Sequence, residues 1–359
     1  MKILVVTGAS GGHIFPALSF LDTLKDKYKD IDTLLILPKR SLGVSKIADD
    51  SKIRYISIST INLSFSPRNF IALLRFFKGS LESLILLLEF RPDIVVGFGS
   101  LACVPMVLLA WIFRIKTLIH EQNVIPGQAN RLLAKFSDKI AISFKETRDY
   151  FKGSSRKIVF TGNLIRKELK RIDRNKALDF FGLGSDKFTI LVMGGSAGSH
   201  RINLGFLNAI SKSWSKSDFQ IIHSSGLKDY DLLKDSYKDL GINFKLFGFL
   251  NEMQHAYSAC DLVICRAGAT SLSEIIFFGL PAIIIPYPFA YAHQINNAKV
   301  LENKGCAIII KDNELDGNIL RQTIEGLINN PKEIKKMRLA YDNIIVANAN
   351  DLLVDEVFK

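Results

Sequence analysis

The residues with the clearest chemical potential lie between positions 265 and 274, where polar side chains follow a short apolar run. Arg266 can neutralise a phosphate, and Glu274 can accept both hydroxyl protons of a ribose. Between them, Ala269 and Thr270 open a predicted helix whose unpaired N–H groups attract an anion. An ordinary capped helix with a solvated carboxylate would have the same pattern. The residue types in this segment therefore predict a binding site for a nucleotide sugar.

A second candidate is His13, which follows Ser10, Gly11 and Gly12 after the first apolar run. An imidazole whose pKa is near ~6.5 can take a proton from a hydroxyl at neutral pH, so it suits a general base. A histidine in a turn also serves as a helix cap or a surface group. We therefore predict that His13 is the base, with a structural role as the alternative.

Three glycine-rich turns follow predicted strands, at residues 8–13, 97–100 and 194–198. Each can bring backbone amides close to a phosphate, although many turns between a strand and a helix need glycine for geometry alone. None carries the Gly-Lys-Ser/Thr of a nucleoside triphosphatase. Together with the turn before Ala269, they favour a phosphate-bearing substrate.

Short β-branched runs alternate with amphipathic helices, which predicts an α/β protein of two doubly wound, Rossmann-like domains. The first series of predicted strands is 2–8, 33–37, 54–59, 93–97, 117–120, 139–143 and 158–161. The second series is 188–193, 219–223, 244–247, 261–265, 282–286 and 307–310. A charged helix is predicted between the two series at 166–179. Ligands bind such sheets at the carboxyl ends of the strands, so an interdomain cleft is the expected active site.

Composition limits the possible classes of protein. A chain of 359 residues, 48% hydrophobic and 23% charged, is long enough for two domain cores. Its four cysteines form no CxxC pair, which predicts reduced thiols and a cytoplasmic protein. The net charge of +12 favours phosphate-rich ligands, nucleic acid or an anionic membrane surface. Residues 94–113 carry no charge, but their turn and proline predict a strand, a loop and a buried helix rather than a membrane span.

Two alternatives involve cofactors. A nicotinamide-binding domain needs an acidic residue after its second strand, whereas this chain has Lys39 and Arg40, which disfavours NAD and leaves NADP open. Asp-x-Asp pairs, which hold metals in many sugar transferases, occur at 30–32 and 229–231 at expected helix ends, where capping or solvation is the simpler role. The histidines show no zinc spacing. We predict no cofactor and no metal.

The ordered motifs resemble the MurG family over nearly the whole chain. This family transfers N-acetylglucosamine from its UDP derivative to complete the lipid-linked precursor of the bacterial cell wall. The matching residues are Gly11 through Leu18, His120-Glu121-Gln122-Asn123 with Pro126-Gly127, Thr161-Gly162-Asn163 with Arg166, Gly194-Gly195-Ser196 with Asn203, Arg266 through Glu274, and Gln294 with Asn297-Ala298.

The resemblance implies a GT-B fold with a cleft between its domains. Residues 1–162 would form the N-terminal domain, which binds the acceptor and faces the membrane. Residues 163–336 would form the C-terminal domain, which binds the UDP-sugar, and closing helices at about 337–359 would pack back on the N-terminal domain. The family does not require a bound metal for catalysis.

The resemblance also implies roles for single residues. His13 would be the base or would orient the acceptor, with Asn123 nearby. Arg166 and Ser196 would contact the diphosphate, and Arg266 would line the same site.

In the nucleotide-sugar site, Glu274 would hold the ribose and the backbone of Leu250 would bind uracil. His293 and Gln294 would bind hydroxyls of the transferred sugar. The other residues of the expected substrate site come from the same motifs and are Ser10, Gly11, Gly12, Asn203, Ala269 and Thr270.

Some positions depart from the family pattern. Ala9 and Ser10 stand where Gly-Thr is usual, and Ala197 stands where glutamine is usual. Ser100 and Leu101 replace a usual Gly-Tyr, which removes one expected acceptor contact.

The stereochemical outcome can also be predicted. Retaining GT-B enzymes commonly pair two glutamates eight positions apart, but Ala282 stands eight residues after Glu274, which favours inversion. The predicted reaction is therefore inverting transfer of N-acetylglucosamine to the muramyl C4 hydroxyl of the lipid-linked muramyl-pentapeptide. Alternatives are another GT-B glycosyltransferase, a UDP-sugar epimerase, or a basic membrane-binding protein without catalysis.

A lipid-linked acceptor implies contact with the cytoplasmic face of the cell membrane. A basic amphipathic stretch could provide it, because such faces dock on anionic lipid. Its apolar and basic members are Phe65, Phe70, Ile71, Leu73, Leu74, Phe76, Phe77, Arg68, Arg75 and Lys78, which Trp111-Ile112-Phe113-Arg114 could join. The alternative is that these side chains pack on the sheet. We predict a peripheral membrane protein that binds no nucleic acid.

Overall fold

The computed structural model describes residues 1–39, 53–60, 70–195, 197–211, 219–238, 240–289, 293–344, 346 and 348–359. The chain forms two compact units. The N-terminal unit comprises Met1–Lys167 together with Val346–Lys359, and the C-terminal unit comprises Glu168–Ile345.

The N-terminal unit is built on a parallel sheet of seven strands. They are β1 (Lys2–Val6), β2 (Asp32–Pro38), β3 (Tyr55–Ile58), β4 (Ile94–Gly97), β5 (Lys116–Glu121), β6 (Lys139–Ile142) and β7 (Ile158–Phe160). Their order across the sheet is β3-β2-β1-β4-β5-β6-β7. The direction of winding reverses between β1 and β4, and ligands bind at the carboxyl ends of the strands at such a point.

Helices cover both faces of this sheet. They are α1 (Gly11–Lys27), α2 (Phe70–Phe90), α3 (Cys103–Ile112) and α4 (Gln128–Leu133). Alternate residues of β1 enter two separate cores, with Ile3 and Val5 on one face and Leu4 and Val6 on the other. Both faces are buried, as the near-continuous apolar runs of the strands require in a parallel sheet.

The C-terminal unit repeats this architecture with six parallel strands. They are β8 (Phe188–Met193), β9 (Phe219–Ser224), β10 (Phe244–Phe247), β11 (Leu262–Cys265), β12 (Ala282–Ile284) and β13 (Ala307–Ile309). Their order is β10-β9-β8-β11-β12-β13, so the winding reverses between β8 and β11. Its helices are α5 (Arg174–Phe181), α6 (His200–Ser211), α7 (Tyr230–Lys238), α8 (Met253–Ala259), α9 (Ala269–Phe278), α10 (His293–Asn303), α11 (Gly317–Ile328) and α12 (Pro331–Leu339).

The last helix, α13 (Ala349–Phe358), belongs to the N-terminal unit. Leu353, Val354 and Val357 enter the same core as the buried face of α1. The ring of Phe358 lies 4.3 Å from that of Tyr28 at the end of α1. Apolar packing therefore joins the end of the chain to its first helix.

The thirteen strands lie where the sequence predicts them, within a few residues. Residues 94–113 form β4, a turn and α3, as predicted, and within the described ranges no helix is long and apolar enough to cross a bilayer. The charged helix predicted at 166–179 is wrong in its first half, because the observed helix begins only at Arg174. Asp173 ends the preceding irregular segment by accepting hydrogen bonds from the backbone N–H groups of Asn175 and Lys176.

Candidate functional site

The first site lies at the switch point of the N-terminal sheet, where α1 follows β1. Ser10 is the N-cap residue of α1, and its carbonyl oxygen accepts hydrogen bonds from the N–H groups of His13 and Ile14, each at 3.0 Å. Its hydroxyl does not cap the helix. Gly11 and Gly12 form the first turn of α1, so the predicted phosphate-binding or acceptor-binding segment is the N-terminus of this helix.

The imidazole of His13 packs between the turns after β1 and β4. A Cβ atom at Gly8 would lie 2.9 Å from its Cδ2 atom, and one at Gly99 would lie 3.1 Å from its Cε1 atom. Gly99 also has a φ of +83°, which a residue with a side chain rarely adopts. The two glycines therefore make room for the ring at this position.

A chain of hydrogen bonds continues from His13 into the interior of the unit. The Nδ1 atom of His13 lies 3.0 Å from Oε1 of Gln122. The Nε2 atom of Gln122 lies 3.0 Å from Nδ1 of His120 and 3.2 Å from the carbonyl oxygen of Phe98. The Nε2 atom of His120 lies 3.2 Å from the carbonyl oxygen of Gly162.

A buried carboxylate stands close to this chain. Glu121 accepts hydrogen bonds from the backbone and side chain of Asn123, from the N–H of Gly127 and from the side chain of Asn130. Asn123, predicted to lie near the acceptor, thus has its amide anchored to Glu121. Burial lowers the pKa of His13, while the charge of Glu121 opposes that shift. A lowered pKa keeps the imidazole neutral, and therefore able to accept a proton, at neutral pH.

Arg166, predicted to contact the diphosphate, lies within the N-terminal unit near its end. The centre of its guanidinium is 5.0 Å from the centroid of the Phe15 ring on α1. This cation–π contact holds the arginine against the helix that also carries His13.

The turn that departs from the family pattern has an unusual backbone. Ser100 has a φ of +76°, in the left-handed region that favours glycine. Leu101 is half-buried and packs on the core under α3. The serine thus stands where a glycine would fit without strain, and the leucine contributes to packing.

The second site lies at the switch point of the C-terminal sheet, in the turns after β8 and β11. Arg266 donates hydrogen bonds to the Ser199 hydroxyl, to the Ile285 carbonyl oxygen and to the carboxylate of Asp312. Its guanidinium also lies 5.5 Å from the centroid of the Tyr287 ring. The arginine connects three turns at the carboxyl edge of the sheet, and Asp312 balances its charge.

The helix predicted to follow Arg266 is α9, and it begins at Ala269 as expected. Gly268 precedes it as the N-cap residue and has no side chain with which to cap the helix. Glu274 lies in the second turn and is only 6% exposed. Its Oε2 atom accepts a hydrogen bond of 2.8 Å from the hydroxyl of Tyr257 on α8. A buried ionised carboxylate needs such donors, so Tyr257 helps to hold Glu274 in place.

The start of α10 lies against the same turns. The side-chain oxygen of Gln294 accepts hydrogen bonds from the N–H of Ala267 at 3.0 Å and from that of Tyr287 at 2.9 Å. Asn297 donates to the carbonyl oxygen of Ala267. His293 is the first residue of the helix. Gln294 therefore connects the turns after β11 and β12 through its side-chain oxygen. Its amide nitrogen is the atom that would make the predicted contact with the sugar.

Asn203 is fully buried beneath the glycine-rich turn after β8. Its amide nitrogen donates to the carbonyl oxygen of Ser225 and to Asp229, and its oxygen is 3.0 Å from Nε2 of His223. The structure assigns this residue a supporting position below the turn. Ser196, which belongs to that turn, lies outside the described residues.

The remaining predicted contact is the backbone of Leu250. This residue follows β10, and its side chain is buried. The adjacent Phe249 is exposed.

The two Asp-x-Asp pairs lie in different surroundings. Asp30 precedes β2 and Asp32 is its first residue, whereas Asp229 accepts hydrogen bonds from Asn203 and His200 beside the glycine-rich turn after β8. Throughout the described part of the chain, no cluster of three or more histidine, cysteine or acidic side chains could hold a metal ion.

Comparisons with known proteins identify the family. The model of the glycosyltransferase family 28 N-terminal domain matches residues 3–142, and that of the C-terminal domain matches residues 189–352. Relatives include the UDP-N-acetylglucosamine–N-acetylmuramyl-(pentapeptide) pyrophosphoryl-undecaprenol N-acetylglucosamine transferase of Halothermothrix orenii, 40% identical over 94% of this chain and 93% of that protein. The Listeria monocytogenes transferase of the same name is 36% identical over 100% of this chain and 99% of its own length.

The chain belongs to the MurG family of glycosyltransferases.

Solved structures agree with this assignment. MurG of Acinetobacter baumannii has a TM-score of 0.79 and 25% identity, with 99% of both chains covered. The fold is therefore GT-B. A UDP-GlcNAc 2-epimerase of Neisseria meningitidis shares this fold with a TM-score of 0.70 and 100% coverage of both chains, but only 14% identity. Likeness of fold alone thus includes both transferases and epimerases.

The structure adds three side chains to the sites that sequence reasoning did not assign. They are Gln122 beside His13, Tyr257 beside Glu274 and Asp312 beside Arg266. Gln122 was visible as part of a motif, but its contact with His13 spans 109 positions. No periodicity or spacing reveals such a contact.

Proposed function

We propose that this protein transfers N-acetylglucosamine from UDP-N-acetylglucosamine to the C4 hydroxyl of the muramyl sugar in a lipid-linked muramyl-pentapeptide, with inversion at the anomeric carbon. The product is the lipid-linked disaccharide-pentapeptide from which peptidoglycan is made, so the reaction serves wall biogenesis, cell shape and division. The observation that carries the proposal is family membership over the full chain, together with a histidine at the first switch point whose pKa is lowered by burial.

The N-terminal unit supplies the groups for the acceptor. His13 takes the proton of the attacking hydroxyl, because burial keeps its imidazole neutral and Gly8 and Gly99 fix the ring. Asn123, held by Glu121, lies in the turn after β5 and offers an amide to the acceptor sugar. Ser10, Gly11 and Gly12 contribute the N-terminal amides of α1.

The C-terminal unit supplies the groups for the donor. The N-terminus of α9 at Ala269 and Thr270, with the guanidinium of Arg266, stabilises charge on the departing diphosphate. Glu274 accepts hydroxyl protons of the ribose from a position fixed by Tyr257. Arg166, Ser196, Leu250, His293 and Gln294 complete the proposed binding set, and Asn203 supports the turn of Ser196 from below.

A UDP-sugar epimerase is the competing function, since the same fold serves both. An epimerase breaks and restores the bond to UDP on one substrate and needs no acceptor. The relatives that share 36% or more of their residues with nearly the whole chain bear transferase names, whereas the epimerase shares 14%. The transferase is therefore favoured.

One incubation tests this choice. The purified protein is mixed with UDP-N-acetylglucosamine labelled in the sugar and with lipid-linked muramyl-pentapeptide in detergent, and label is followed into the organic phase. We expect label in the lipid and stoichiometric release of UDP only when the acceptor is present. Epimerised UDP-sugar without acceptor would support the competing function, and free labelled sugar would indicate hydrolysis.

The proposed site of action is the cytoplasmic face of the cell membrane, with a surface on α2 and α3 as the contact. Apolar side chains at intervals of three or four residues are exposed along α2, and the end of α3 against it is also apolar. This membrane-facing surface consists of Leu74, Phe77, Leu81, Ile85, Leu88, Trp111, Ile112 and Phe113, with the exposed cations Arg75, Lys78 and Arg114.

The residues of this surface differ in part from those that the sequence predicts. Phe77 is 62% exposed, whereas Phe76 is half-buried and lines a small cavity with Ile58 and Pro105. The surface also extends along α2 to Ile85 and Leu88, beyond the predicted stretch. Phe65 and Arg68 lie outside the described residues, and so do the side chains of residues 70–73. An aligned apolar row edged by cations suits the interface of an anionic membrane.

A sedimentation assay tests the surface. The variant Phe77→Ser, Leu81→Ser, Arg75→Glu and Lys78→Glu loses two apolar anchors and ~1 kcal/mol of attraction per basic residue, so its binding to anionic vesicles should collapse. Transfer to a short-chain, water-soluble acceptor should persist. Leu232→Ser with Leu339→Ser, two exposed leucines of the C-terminal unit, is the matched control. Undiminished vesicle binding by a folded quadruple variant would place the contact elsewhere.

A further inference from the structure

The hydrogen-bond chain behind His13 has a defined direction, and this direction determines which nitrogen of His13 can accept a proton. We propose that Gln122, supported by His120, is a positioning residue that holds neutral His13 with its proton on Nδ1, so that Nε2 is the nitrogen that takes the proton of the acceptor hydroxyl. This inference rests on the proposed function of His13 as the base. It adds a residue to the site that acts through His13 rather than on the substrate.

The surroundings of Gln122 determine how its amide is oriented. Its Nε2 atom lies 3.2 Å from the carbonyl oxygen of Phe98 and 3.3 Å from that of His120. Carbonyl oxygens can only accept, so the atom between them must be the NH₂ group. In the flipped orientation the side-chain oxygen would face two other oxygens. The amide oxygen of Gln122 therefore points at His13.

His120 supports the same direction independently. Its Nε2 atom lies 3.2 Å from the carbonyl oxygen of Gly162, which accepts only, so this nitrogen carries the proton. Its Nδ1 atom then has a lone pair, and it lies 3.0 Å from the NH₂ group of Gln122. Burial lowers the pKa of His120 to about 4, which keeps the ring neutral and leaves it one proton to place. The contacts of Gln122 and those of His120 therefore support the same direction of donors and acceptors in this series of hydrogen bonds.

The consequence for His13 follows from valence. Its Nδ1 atom lies 3.0 Å from an oxygen that can only accept, so Nδ1 carries the proton. A neutral imidazole has one N–H, and Nε2 is left with the lone pair. Imidazole free in water prefers the opposite tautomer, and without Gln122 the base would spend much of its time with the wrong nitrogen protonated. Loss of the correct tautomer is known to be costly in histidine-dependent catalysis.

The hydrogen bond to the Gln122 amide raises the pKa of His13 and opposes the larger, lowering effect of burial, but the amide adds no charge beside the ring. A carboxylate in the place of Gln122 would hold the same tautomer, but its charge would stabilise the imidazolium and raise the pKa. The charged or titratable groups that face His13 are Glu121, whose charge raises the pKa, and the neutral ring of His120. Glu121 is already occupied by Asn123, Gly127 and Asn130.

The chemical step balances with these groups. As the acceptor oxygen forms its bond to the anomeric carbon, its proton passes to Nε2 of His13. The bond from that carbon to UDP breaks, and its electron pair leaves with UDP. His13 becomes an imidazolium that retains its hydrogen bond to Gln122 and then releases the new proton to solvent.

The tautomer can be measured without any turnover. Nitrogen-15 NMR of the histidine-labelled protein distinguishes protonated from unprotonated ring nitrogens, and His13→Asn identifies the resonances. We expect the wild-type protein at pH 7.5 to show His13 protonated on Nδ1, and Gln122→Met to show a mixture of tautomers. A wild-type His13 protonated on Nε2 would overturn the proposal, and so would an unchanged Nδ1–H signal in Gln122→Met.

Kinetics supply a second, independent arm. Gln122→Met should lower kcat roughly 10- to 100-fold, less than loss of the base itself, while KM for UDP-N-acetylglucosamine stays within about twofold. Gln122→Glu retains the acceptor for Nδ1–H, so it should recover much of kcat, and the acid limb of its pH profile should move to higher pH. Equal losses in both variants, without a shift of the pH profile, would mean that Gln122 acts only by packing.

Gln220 provides the matched control. It is a buried glutamine in the C-terminal unit, bonded to the backbone of Gly184 and to the Thr189 hydroxyl. Gln220→Met should cost similar stability with kcat unchanged, and a fall in kcat as large as that of Gln122→Met would overturn the proposal. If His13→Ala is fully active, the proposed function of the base fails, while the NMR result still decides whether Gln122 sets the tautomer. Should Gln122→Met not fold, the wild-type spectrum and Gln122→Glu decide alone.

Discussion

The two units share one strand order but place different chemistry at the same point of the sheet. In each, the turns after the first and fourth strands of the unit meet where the winding reverses. In the N-terminal unit these turns enclose a neutral imidazole, held by glycines and by the amide of Gln122. In the C-terminal unit they are joined by Arg266, which is paired with Asp312. The same strand order therefore presents an imidazole in one unit and an ion pair in the other.

Each unit also contains a fully buried histidine on a strand, and the contrast between these residues is instructive. His120 on β5 is connected to His13 through the side chain of Gln122. His223 on β9 bonds to Asn203 and Tyr237, inside the unit and below the glycine-rich turn. The two histidines are similarly buried but differ in their partners, which lead to His13 in one unit and to the support of a turn in the other.

The largest expected effect comes from removing the base. His13→Ala should lower kcat by ~10²–10⁴, because proton transfer is realised in the transition state, and should leave the dissociation constant of UDP within about twofold. Initial rates and calorimetric titration with UDP measure the two quantities. If UDP binding weakened in parallel with kcat, the separation of roles between the units would be wrong.

Acid should test the two buried histidines. Burial lowers the pKa of His120 to about 4 and that of His223 to about 3 in the folded protein. The unfolded chain takes up these protons near pH 6.5, so stability is present above that pH and is lost as the pH falls towards the folded values, by about 3 kcal/mol for His120 and about 5 kcal/mol for His223.

Denaturant midpoints between pH 7.5 and pH 4.5 measure this loss. His120→Asn and His223→Asn should each flatten the pH dependence, but only the first should also lower kcat, since only His120 supports Gln122. Equal activity of the two variants would remove the contrast between the units.

A smaller effect is expected in the donor site. Glu274→Ala should raise KM for UDP-N-acetylglucosamine by the ~1.5–3 kcal/mol of a lost charged hydrogen bond, and Tyr257→Phe by the ~0.5–1.5 kcal/mol of a neutral one. Tyr237→Phe, which also removes a buried hydroxyl in this unit, is the control and should leave KM unchanged. A normal KM in Glu274→Ala would exclude the ribose contact.

The fold could largely be predicted from the sequence because buried parallel strands are continuous apolar runs. β4, β11 and β12 are such runs, whereas β10 includes Lys245 and is only half-buried. The helix predicted at 166–179 failed in its first half because charge periodicity there outweighed a capping signal, and Asp173 is the residue that marks the true start. The membrane-facing surface on α2 was predicted only in part, since the sequence pattern does not show which of Phe76 and Phe77 faces solvent.

The sites were less predictable than the fold. His13, Arg266 and Glu274 stand beside glycine-rich turns, where sequence signals are strong. Their partners come from distant segments, as with Asp312, which lies 46 positions from Arg266. Such pairs form only when strands are ordered in a sheet, and no local rule specifies them.

The smallest expected effect concerns the turns after the fourth strand of each unit. In the C-terminal unit Gly268 has an ordinary φ of −63°, whereas in the N-terminal unit Ser100 has a φ of +76°. A Cβ in the left-handed region costs about 1 kcal/mol, part of which a glycine returns as chain entropy in the unfolded state. Ser100→Gly should therefore raise the free energy of unfolding by up to ~1 kcal/mol.

Ser100→Ala separates the two contributions of the serine. It removes the hydroxyl but keeps the Cβ atom, so it should give no gain in stability, and the difference between the two variants reports the backbone strain alone. Thermal melting of both variants beside the wild type is sufficient. The side chain of Ser100 is crowded, because it lies close to Gly8. If Ser100→Ala raised the free energy of unfolding as much as Ser100→Gly, the destabilisation would come from the hydroxyl and not from the backbone. The turn after β4 would then resemble its counterpart after β11 in strain, and the difference between the units would lie only in the side chains that they present.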